Sequence, residues 1–197
     1  MFFLHVRLVS FHLAQTCCLL LFLQHYSHFF LSINRFERKK DLRLALRSYS
    51  KLRRDVFTAV GYEFRLILAG GYDERLIENV EYFEELERWG NCRVFVPWVF
   101  LSSYCCFDSI IWECFELGIE AEVVLLPSIT SSEKLSLLNR CLCVLYTPED
   151  EHFGIVPLEA MAAAKPVLAC NTGGPIETVV HGITGFLCAP NQKVFSF

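Results

Sequence analysis

Two glutamates with seven residues between them, Glu151 and Glu159, are the side chains whose type and spacing suggest chemistry most directly. Glu151 lies in a predicted loop after a strand, and Glu159 lies on a helix predicted to begin near Gly154. Carboxylates accept hydrogen bonds, and a sugar offers many hydroxyl donors. Gly154 allows the backbone to approach a ligand closely, so that its amide can also donate. The pair therefore predicts a site that holds two hydroxylated ends of one ligand.

Two cations, Arg35 and Lys40, lie in the loop after the first predicted strand. Ligands of open α/β sheets bind at the carboxyl ends of the strands, where this loop is placed. Arginine offers a planar fork to phosphate oxygens, and lysine offers a point charge. The sequence contains no Asp-x-Asp pair that could hold a divalent metal on a diphosphate. Side-chain cations and helix N-termini would then neutralise the phosphates, and we expect no metal and no further cofactor.

Composition and missing fingerprints exclude several classes of function. The 18 Lys and Arg against 22 Asp and Glu give a formal charge of -4, which excludes a nucleic-acid binder driven by bulk charge. A hydrophobic content of 53% excludes intrinsic disorder as the overall state. The sequence has no G-x-G-x-x-G and no G-x-x-x-x-G-K-S/T, which counts against a dinucleotide-dependent dehydrogenase or epimerase and against a P-loop phosphotransferase.

Cysteine usage indicates packing rather than chemistry. Ten cysteines are present, and none of them form a Cys-x-x-Cys pair. The adjacent pairs Cys17-Cys18 and Cys105-Cys106 have poor geometry for a bridge or for one tetrahedral metal. We interpret the cysteines as small buried hydrophobes and assign them neither a metal nor a redox role.

Strands and helices are predicted to alternate along the chain with short loops. Asp73 is predicted to cap a helix that places Leu76, Val80, Phe83 and Leu86 inward, and a capping box at Thr130 begins another. The predicted strands are 29–33, 64–69, 123–126, 141–146, 166–170 and 185–188, and the predicted helices are 41–54, 74–89, 131–140, 154–164 and 175–180. This order is typical of an α/β fold with a doubly wound parallel sheet.

Two stretches of the chain are much more apolar than the rest. Residues 1–31 contain one side chain of the Asp, Glu, Lys and Arg set, and residues 91–115 contain three. The first stretch fits a membrane anchor, a strand joined to adventitious sequence, or a cleaved signal. The second would divide the domain if it spanned a membrane, so we interpret it as an irregular insertion. We therefore predict an apolar amino-terminal segment, 1–27, and one domain, 28–197, that the insertion 91–115 interrupts.

The two glutamates stand in the context E-H-F-G-I-V-P-L-E-A-M, with Arg35 and Lys40 upstream. This arrangement resembles the retaining family-4 glycosyltransferases of the GT-B fold. Three segments, I-N-R-F-E-R-K-K at 33–40, L-A-G-G-Y-D-E-R at 68–75 and N-T-G-G-P-I-E at 171–177, resemble more narrowly the mannosyltransferases of the asparagine-linked glycosylation pathway. The resemblance covers roughly 28–90 and 116–190, and it implies the Rossmann-like, donor-binding carboxy-terminal half of a GT-B enzyme.

The resemblance implies an activity and a place in the cell. Such an enzyme transfers mannose from GDP-mannose to a dolichol-linked oligosaccharide at the cytosolic face of the endoplasmic reticulum membrane. By the same resemblance, Arg35 and Lys40 bind the donor diphosphate and stabilise the leaving group, and Glu151 faces the donor sugar. Further donor-binding positions are the backbone of Phe153, Gly154 and Ile155 beside the sugar, Glu159 at the ribose, and Ile129 and Lys134 near the base.

The sequence also departs from the resemblance. The amino-terminal half of a GT-B enzyme, which binds the lipid-linked acceptor, has no counterpart among the 197 residues, and no helix closes the last predicted unit. We therefore expect a partial, truncated chain that is inactive by itself. The alternative is a catalytically inactive fragment that binds a nucleotide sugar or a partner.

Overall fold

The computed structural model of the protein describes residues 28–57, 64–90, 93–94, 119 and 122–190, with the backbone alone at 56–57, 86–90 and 93–94. Within these residues the fold is built from seven parallel strands and the helices that connect them. The strands are β1 (Phe29–Ile33), β2 (Arg65–Gly70), β3 (Arg93–Val94), β4 (Val123–Pro127), β5 (Cys143–Tyr146), β6 (Val167–Cys170) and β7 (Gly185–Cys188). The helices are α1 (Leu42–Leu52), α2 (Ile77–Gly90), α3 (Ser131–Arg140), α4 (Ile155–Ala162) and the one-turn α5 (Pro175–Thr178).

The strands form one sheet in the order β3-β4-β2-β1-β5-β6-β7. Every pairing is parallel. The central strands β1, β5 and β6 are buried along their whole length, as parallel strands are when helices cover both faces of a sheet. The predicted doubly wound α/β fold is therefore confirmed.

Alternate residues of the strands supply two core layers. Phe30 points into a layer formed with side chains of α1 and α2, including Tyr49 and Phe83. Its neighbour Leu31 points into the opposite layer, which includes Leu137 of α3. This alternation follows from the period of two along a strand. The sheet thus presents one face to α1 and α2 and the other to α3 and α4.

The strand order places a topological switch point at β1. From β1 the chain continues on one side into β2, with five residue pairs in register, and much later adds β5 on the other side. The register between β1 and β5 contains only the pairs Phe30 with Cys143 and Leu31 with Val144. Connections that leave β1 and β5 in opposite directions open a crevice at the carboxyl ends of the strands.

The start of α2 differs from the prediction. The helix begins at Ile77 rather than at residue 74, and Asp73 does not cap it. Asp73 instead accepts a hydrogen bond from the backbone amide of Arg75 at 3.0 Å, and its carboxylate pairs with the Arg75 guanidinium at 2.8 Å. This local turn competes with the helix, as aspartate side chains often do. Leu76, predicted to face inward, is consequently exposed, whereas Phe83 is buried as predicted.

The segment predicted as an insertion contributes a strand. Arg93 and Val94 pair with Val124 and Leu125 and form the sheet edge as β3. The rest of the predicted insertion, apart from these two residues, lies outside the described residues, and so does the amino-terminal segment 1–27. Among the helices that the structure describes, none has the length and apolar character needed to cross a membrane.

The predicted capping box is confirmed, and the prediction that the cysteines are buried is confirmed for three of them. Cys188 is half-buried, and the other six cysteines lie outside the described residues. Thr130 and Glu133 form the predicted capping box at the start of α3, where Glu133 Oε2 accepts from the Thr130 amide at 2.7 Å. Cys141, Cys143 and Cys170 are buried, and burial raises the pKa of the Cys143 thiol to about 12. These three cysteines therefore pack as neutral apolar side chains.

Candidate functional site

The predicted site residues lie in loops at the carboxyl edge of the sheet and on the helices that follow. Arg35 and Lys40 follow β1, Ile129 and Lys134 follow β4, and Glu151, Phe153, Gly154, Ile155 and Glu159 follow β5. The loops after β1 and β5 flank the switch point. The structure brings together two lysine–glutamate pairs. One pair joins the loops after β1 and β5 across 111 residues, and the other joins α3 to α4 across 25 residues.

The first pair joins Lys40 to Glu151. The Lys40 ammonium donates a hydrogen bond to Glu151 Oε2 across 111 residues of sequence. The Lys40 side chain is 7% exposed, and that of Glu151 is 34% exposed. The hydrogen bond from Lys40 lowers the pKa of the Glu151 carboxyl from its ordinary value of 4.5, while desolvation opposes that shift. Glu151 is therefore an ionised carboxylate at neutral pH, and it keeps one side open to solvent.

Arg35 lies at the outer side of the same loop. Its side chain is 61% exposed, and its guanidinium contacts the Glu37 carboxylate at 3.0 Å. Lys39 contacts the other oxygen of Glu37, also at 3.0 Å. One nearly buried carboxylate thus holds two exposed cations at the edge of the crevice. Sequence reasoning missed Glu37, although its position between the cations of 35–40 was a visible signal.

Gly154 shapes the loop after β5. It has a φ of 70° and precedes the first residue of α4. A Cβ at this position would lie 3.0 Å from the Tyr146 hydroxyl, so the conformation and the space both favour glycine. Gly154 has no side chain that could cap α4, and the first amides of the helix are left for a ligand or water. The adjacent side chains of Phe153 and Ile155 are exposed.

The segment before α5, which contains Gly173 and Gly174, packs against the backbone of the Glu151 loop. The Gly174 amide donates to the Glu151 carbonyl at 2.7 Å. A Cβ on Gly173 would lie 2.4 Å from that same carbonyl oxygen, and a Cβ on Gly174 would lie 2.2 Å from the carbonyl oxygen of Phe153. The segment before α5 can therefore approach the Glu151 loop only because both positions lack a side chain.

The second pair joins Lys134 of α3 to Glu159 of α4. The Lys134 ammonium lies 2.6 Å from Glu159 Oε1, and the two side chains are 33% and 26% exposed. The other oxygen, Glu159 Oε2, is buried and has no hydrogen-bond partner among the described residues. A buried acceptor without a donor is costly, so this atom is suited to receive a hydroxyl from a ligand. Ile129 is half-buried and packs against the core on the α3 side.

The chemistry of the site follows from these groups. Cations and helix amides can bind phosphate, and carboxylates can bind sugar hydroxyls. Within the ranges that the structure describes, no three His, Cys, Asp or Glu side chains cluster closely enough to hold a metal ion. The described groups can therefore bind a sugar joined to a phosphate through protein side chains and backbone amides.

The fold is that of the Rossmann-like half of GT-B glycosyltransferases, and the sequence comparisons indicate the same class. Residues 108–196 match the family described as "Glycosyl transferases group 1". Alpha-1,3/1,6-mannosyltransferase ALG2 of Mus musculus is 46% identical over 167 residues, which are 85% of this chain and 34% of that protein. Part of the chain is thus similar to this glycosyltransferase family, and the chain is similar to the ALG2 mannosyltransferases. It spans about one third of the length of the curated relatives it matches.

Solved structures show the same fold. A glycosyltransferase from Rickettsia africae superimposes with a TM-score of 0.63 at 18% identity, over 90% of this chain and 37% of that one. The carboxy-terminal domain of the group 1 glycosyltransferase LpcC from Francisella tularensis superimposes with a TM-score of 0.55 at 17% identity, over 84% and 68% of the two chains. The curated relatives favour a glycosyltransferase over a dehydrogenase or an epimerase.

Proposed function

We propose that this chain is the donor-binding part of a mannosyltransferase and that it binds GDP-mannose at the carboxyl edge of its sheet. The observation that carries the proposal is the buried Lys40 beside Glu151, next to the switch point. Burying a cation costs free energy through desolvation, so its position calls for a functional explanation. A diphosphate supplies one, because its oxygens accept strong hydrogen bonds from an ammonium group.

In this proposal the diphosphate lies against Lys40 and Arg35. When the bond between the anomeric carbon of mannose and the diphosphate oxygen breaks, negative charge gathers on the leaving phosphate. Fixed cations at that point stabilise the transition state without reorganising during the step. The exposed Arg35 can move onto the phosphate, whereas Lys40 is already fixed. The two cations would make a metal unnecessary.

The two carboxylates bind opposite ends of the donor. Glu151 faces the mannose with the backbone of Phe153, Gly154 and Ile155, where positive charge develops on the sugar ring as the leaving group departs. Glu159 accepts from the ribose hydroxyls through Oε2, which has no partner among the described residues. Its neighbour Lys134 and the nearby Ile129 lie toward the base.

The acceptor and the location belong to the same proposal. The motifs of 33–40, 68–75 and 171–177 and the mannosyltransferase relatives support a dolichol-linked oligosaccharide as acceptor, with retention of configuration at the transferred mannose. Such a lipid-linked acceptor places the reaction at the endoplasmic reticulum membrane, on the face that is supplied with cytosolic GDP-mannose.

Calorimetric titration of the full 197-residue chain with GDP-mannose tests the donor assignment. With EDTA present, we expect saturable binding that added Mg²⁺ or Mn²⁺ changes by less than about twofold. GDP should compete for the same site, and mannose alone should not bind measurably. Binding that requires a divalent metal would show that the phosphate assignment to Lys40 and Arg35 is wrong. No binding of either GDP or GDP-mannose would overturn the proposed function.

A further inference from the structure

The segment that leads into α1 places Lys40 through an unusual backbone conformation. Lys40 ends a 3-10 turn (Arg38–Lys40), Asp41 has a φ of 41°, and α1 begins at Leu42. A residue other than glycine in this left-handed region is strained, and such a conformation persists only when its surroundings fix it. The contacts that fix this segment therefore also determine where the Lys40 ammonium lies.

Thr147 fixes the segment from the sheet. It is fully buried just after β5, and its hydroxyl donates to the Lys40 carbonyl at 2.7 Å. The loop that begins at Thr147 also carries Glu151, the ion-pair partner of Lys40. A single short stretch after β5 thus holds both the backbone and the side chain of Lys40, at positions 107 and 111 residues away.

Tyr82 fixes the segment from α2. Its hydroxyl is buried and accepts from the Leu42 amide at 2.9 Å, so a side chain of one helix caps the start of another. Burial raises the pKa of Tyr82 to about 12, so the phenol stays neutral. Glu85, one turn further along α2, pairs with Arg38 and with Arg43 on either side of Lys40.

We propose that Thr147 and Tyr82 are positioning residues that hold Lys40 ready to bind the donor diphosphate. The proposal rests on the proposed function, because it assigns Lys40 to that diphosphate. Neither hydroxyl needs to touch the ligand, since each is bonded to a backbone group within two residues of the Lys40 carbonyl. A fixed ammonium loses less entropy on binding than a free lysine side chain does, and this pre-organisation appears as affinity.

Isosteric variants of the full chain test the proposal by calorimetry with GDP and with guanosine. Thr147→Val removes the hydroxyl and keeps the shape, whereas Thr147→Ser keeps the hydroxyl. We expect Thr147→Val and Tyr82→Phe each to weaken GDP about three- to tenfold and guanosine less than about twofold. Thr147→Ser should retain GDP affinity within about twofold. A merely structural role would weaken both ligands alike.

A double-mutant cycle with Lys40→Ala shows whether the hydroxyls act through Lys40. On the Lys40→Ala background, Thr147→Val should cause no further loss of GDP affinity. An equal loss on both backgrounds would overturn the inference. If Lys40→Ala weakens GDP but neither Thr147→Val nor Tyr82→Phe does, the inference fails and the proposed function stands. If Lys40→Ala leaves GDP binding unchanged, the phosphate assignment fails and this inference fails with it. If Thr147→Val does not fold, the same cycle with Tyr82→Phe in its place tests whether the hydroxyl acts through Lys40.

Discussion

The two lysine–glutamate pairs at the carboxyl edge of the sheet are built differently. Lys40 is buried, its carbonyl accepts from the buried Thr147 hydroxyl, and its partner Glu151 is the more exposed member. Two residues on, the Leu42 amide donates to the buried Tyr82 hydroxyl. Lys134 and Glu159 are both about one third to one quarter exposed, and both project from helices whose backbones are regular. One pair is fixed through the main chain, and the other is fixed through its side chains alone.

This difference matches the two tasks that we propose for the pairs. Stabilising charge in a transition state requires groups that are already in place, because reorganisation during the step reduces their effect. Binding a ribose or a base is needed equally in the ground state and the transition state, so a flexible ammonium is sufficient. The contrast predicts that Lys40 governs phosphate binding and Glu151 governs binding of the mannose. Lys134 and Glu159 should instead govern the affinity for the nucleoside.

The largest expected effect is that of Lys40→Ala. A charge-assisted hydrogen bond contributes roughly 1.5–3 kcal/mol, so GDP affinity should fall about tenfold to a hundredfold. Guanosine affinity should stay within about twofold, since guanosine has no phosphate. Lys39→Ala is the matched control, because Lys39 is an exposed neighbour, and it should have a small effect. Calorimetry with both ligands measures this. If Lys39→Ala and Lys40→Ala reduced GDP affinity equally, the buried Lys40 would have no advantage over the exposed Lys39.

The two carboxylates should fail in different ways when they are replaced by amides. Glu159→Gln should weaken guanosine, GDP and GDP-mannose by similar factors of about three to ten, because all three contain the ribose. Glu151→Gln should weaken binding of GDP-mannose, whereas GDP should bind at least as tightly as before. The substitution removes the carboxylate charge that competes with the diphosphate for Lys40.

Direct binding of the three ligands separates these outcomes, with the exposed Glu149→Gln as the matched control. If Glu151→Gln weakens GDP as much as Glu159→Gln does, the two carboxylates have been assigned to the wrong ends of the donor.

Lys134→Ala should have a smaller effect than the changes at Lys40, Glu151 and Glu159. Partly exposed ion pairs contribute roughly 0.2–1 kcal/mol, so GDP and guanosine should each lose less than about fivefold in affinity. The loss should diminish at high salt, where exposed charges are screened. Titrations at low and high ionic strength check this. A loss of GDP affinity comparable to that of Lys40→Ala would show that Lys134 is as important for donor binding as Lys40. That result would contradict the contrast between the two pairs.

The smallest expected effect concerns stability and pH. The pKa of Glu151 is lowered in the folded chain, so its carboxylate stabilises the fold above the ordinary value of 4.5 and stops doing so as the pH falls through the lowered pKa. Urea unfolding should therefore show Glu151→Gln to be less stable than the unmodified chain near neutral pH. The difference should shrink in acid. A difference that grows in acid would reverse the assigned direction.

Much of this architecture is visible in the sequence because local patterns and tertiary packing agree. The strand 29–33 and the capping box at Thr130 were predicted correctly, since apolar runs and capping residues act over a few positions. The start of α2 was wrong because Asp73 has two competing local partners, the helix and Arg75. The strand Arg93–Val94 was missed because two residues carry no periodicity.

The site was less predictable than the fold. Glu151 and Glu159 can be found from their spacing, but the bonds from Thr147 and to Tyr82 cannot, because each joins residues far apart in the sequence. Which lysine meets which glutamate is likewise decided by strand order. Spacing alone does not distinguish a buried Lys40 from an exposed Lys39, although the two are adjacent.

The short register between β1 and β5 has a consequence for how the chain opens. Only two residue pairs join these strands, and the Lys40–Glu151 contact lies beyond their carboxyl ends, across the same seam. A donor that contacts the loops after both β1 and β5 would hold together the two halves of the sheet that meet between these strands. Local opening at the seam would then require the donor to leave first. The Leu142 amide donates to the Phe29 carbonyl across this seam. We expect hydrogen exchange at the Leu142 amide to slow when GDP-mannose binds, while the amides of β2 change little.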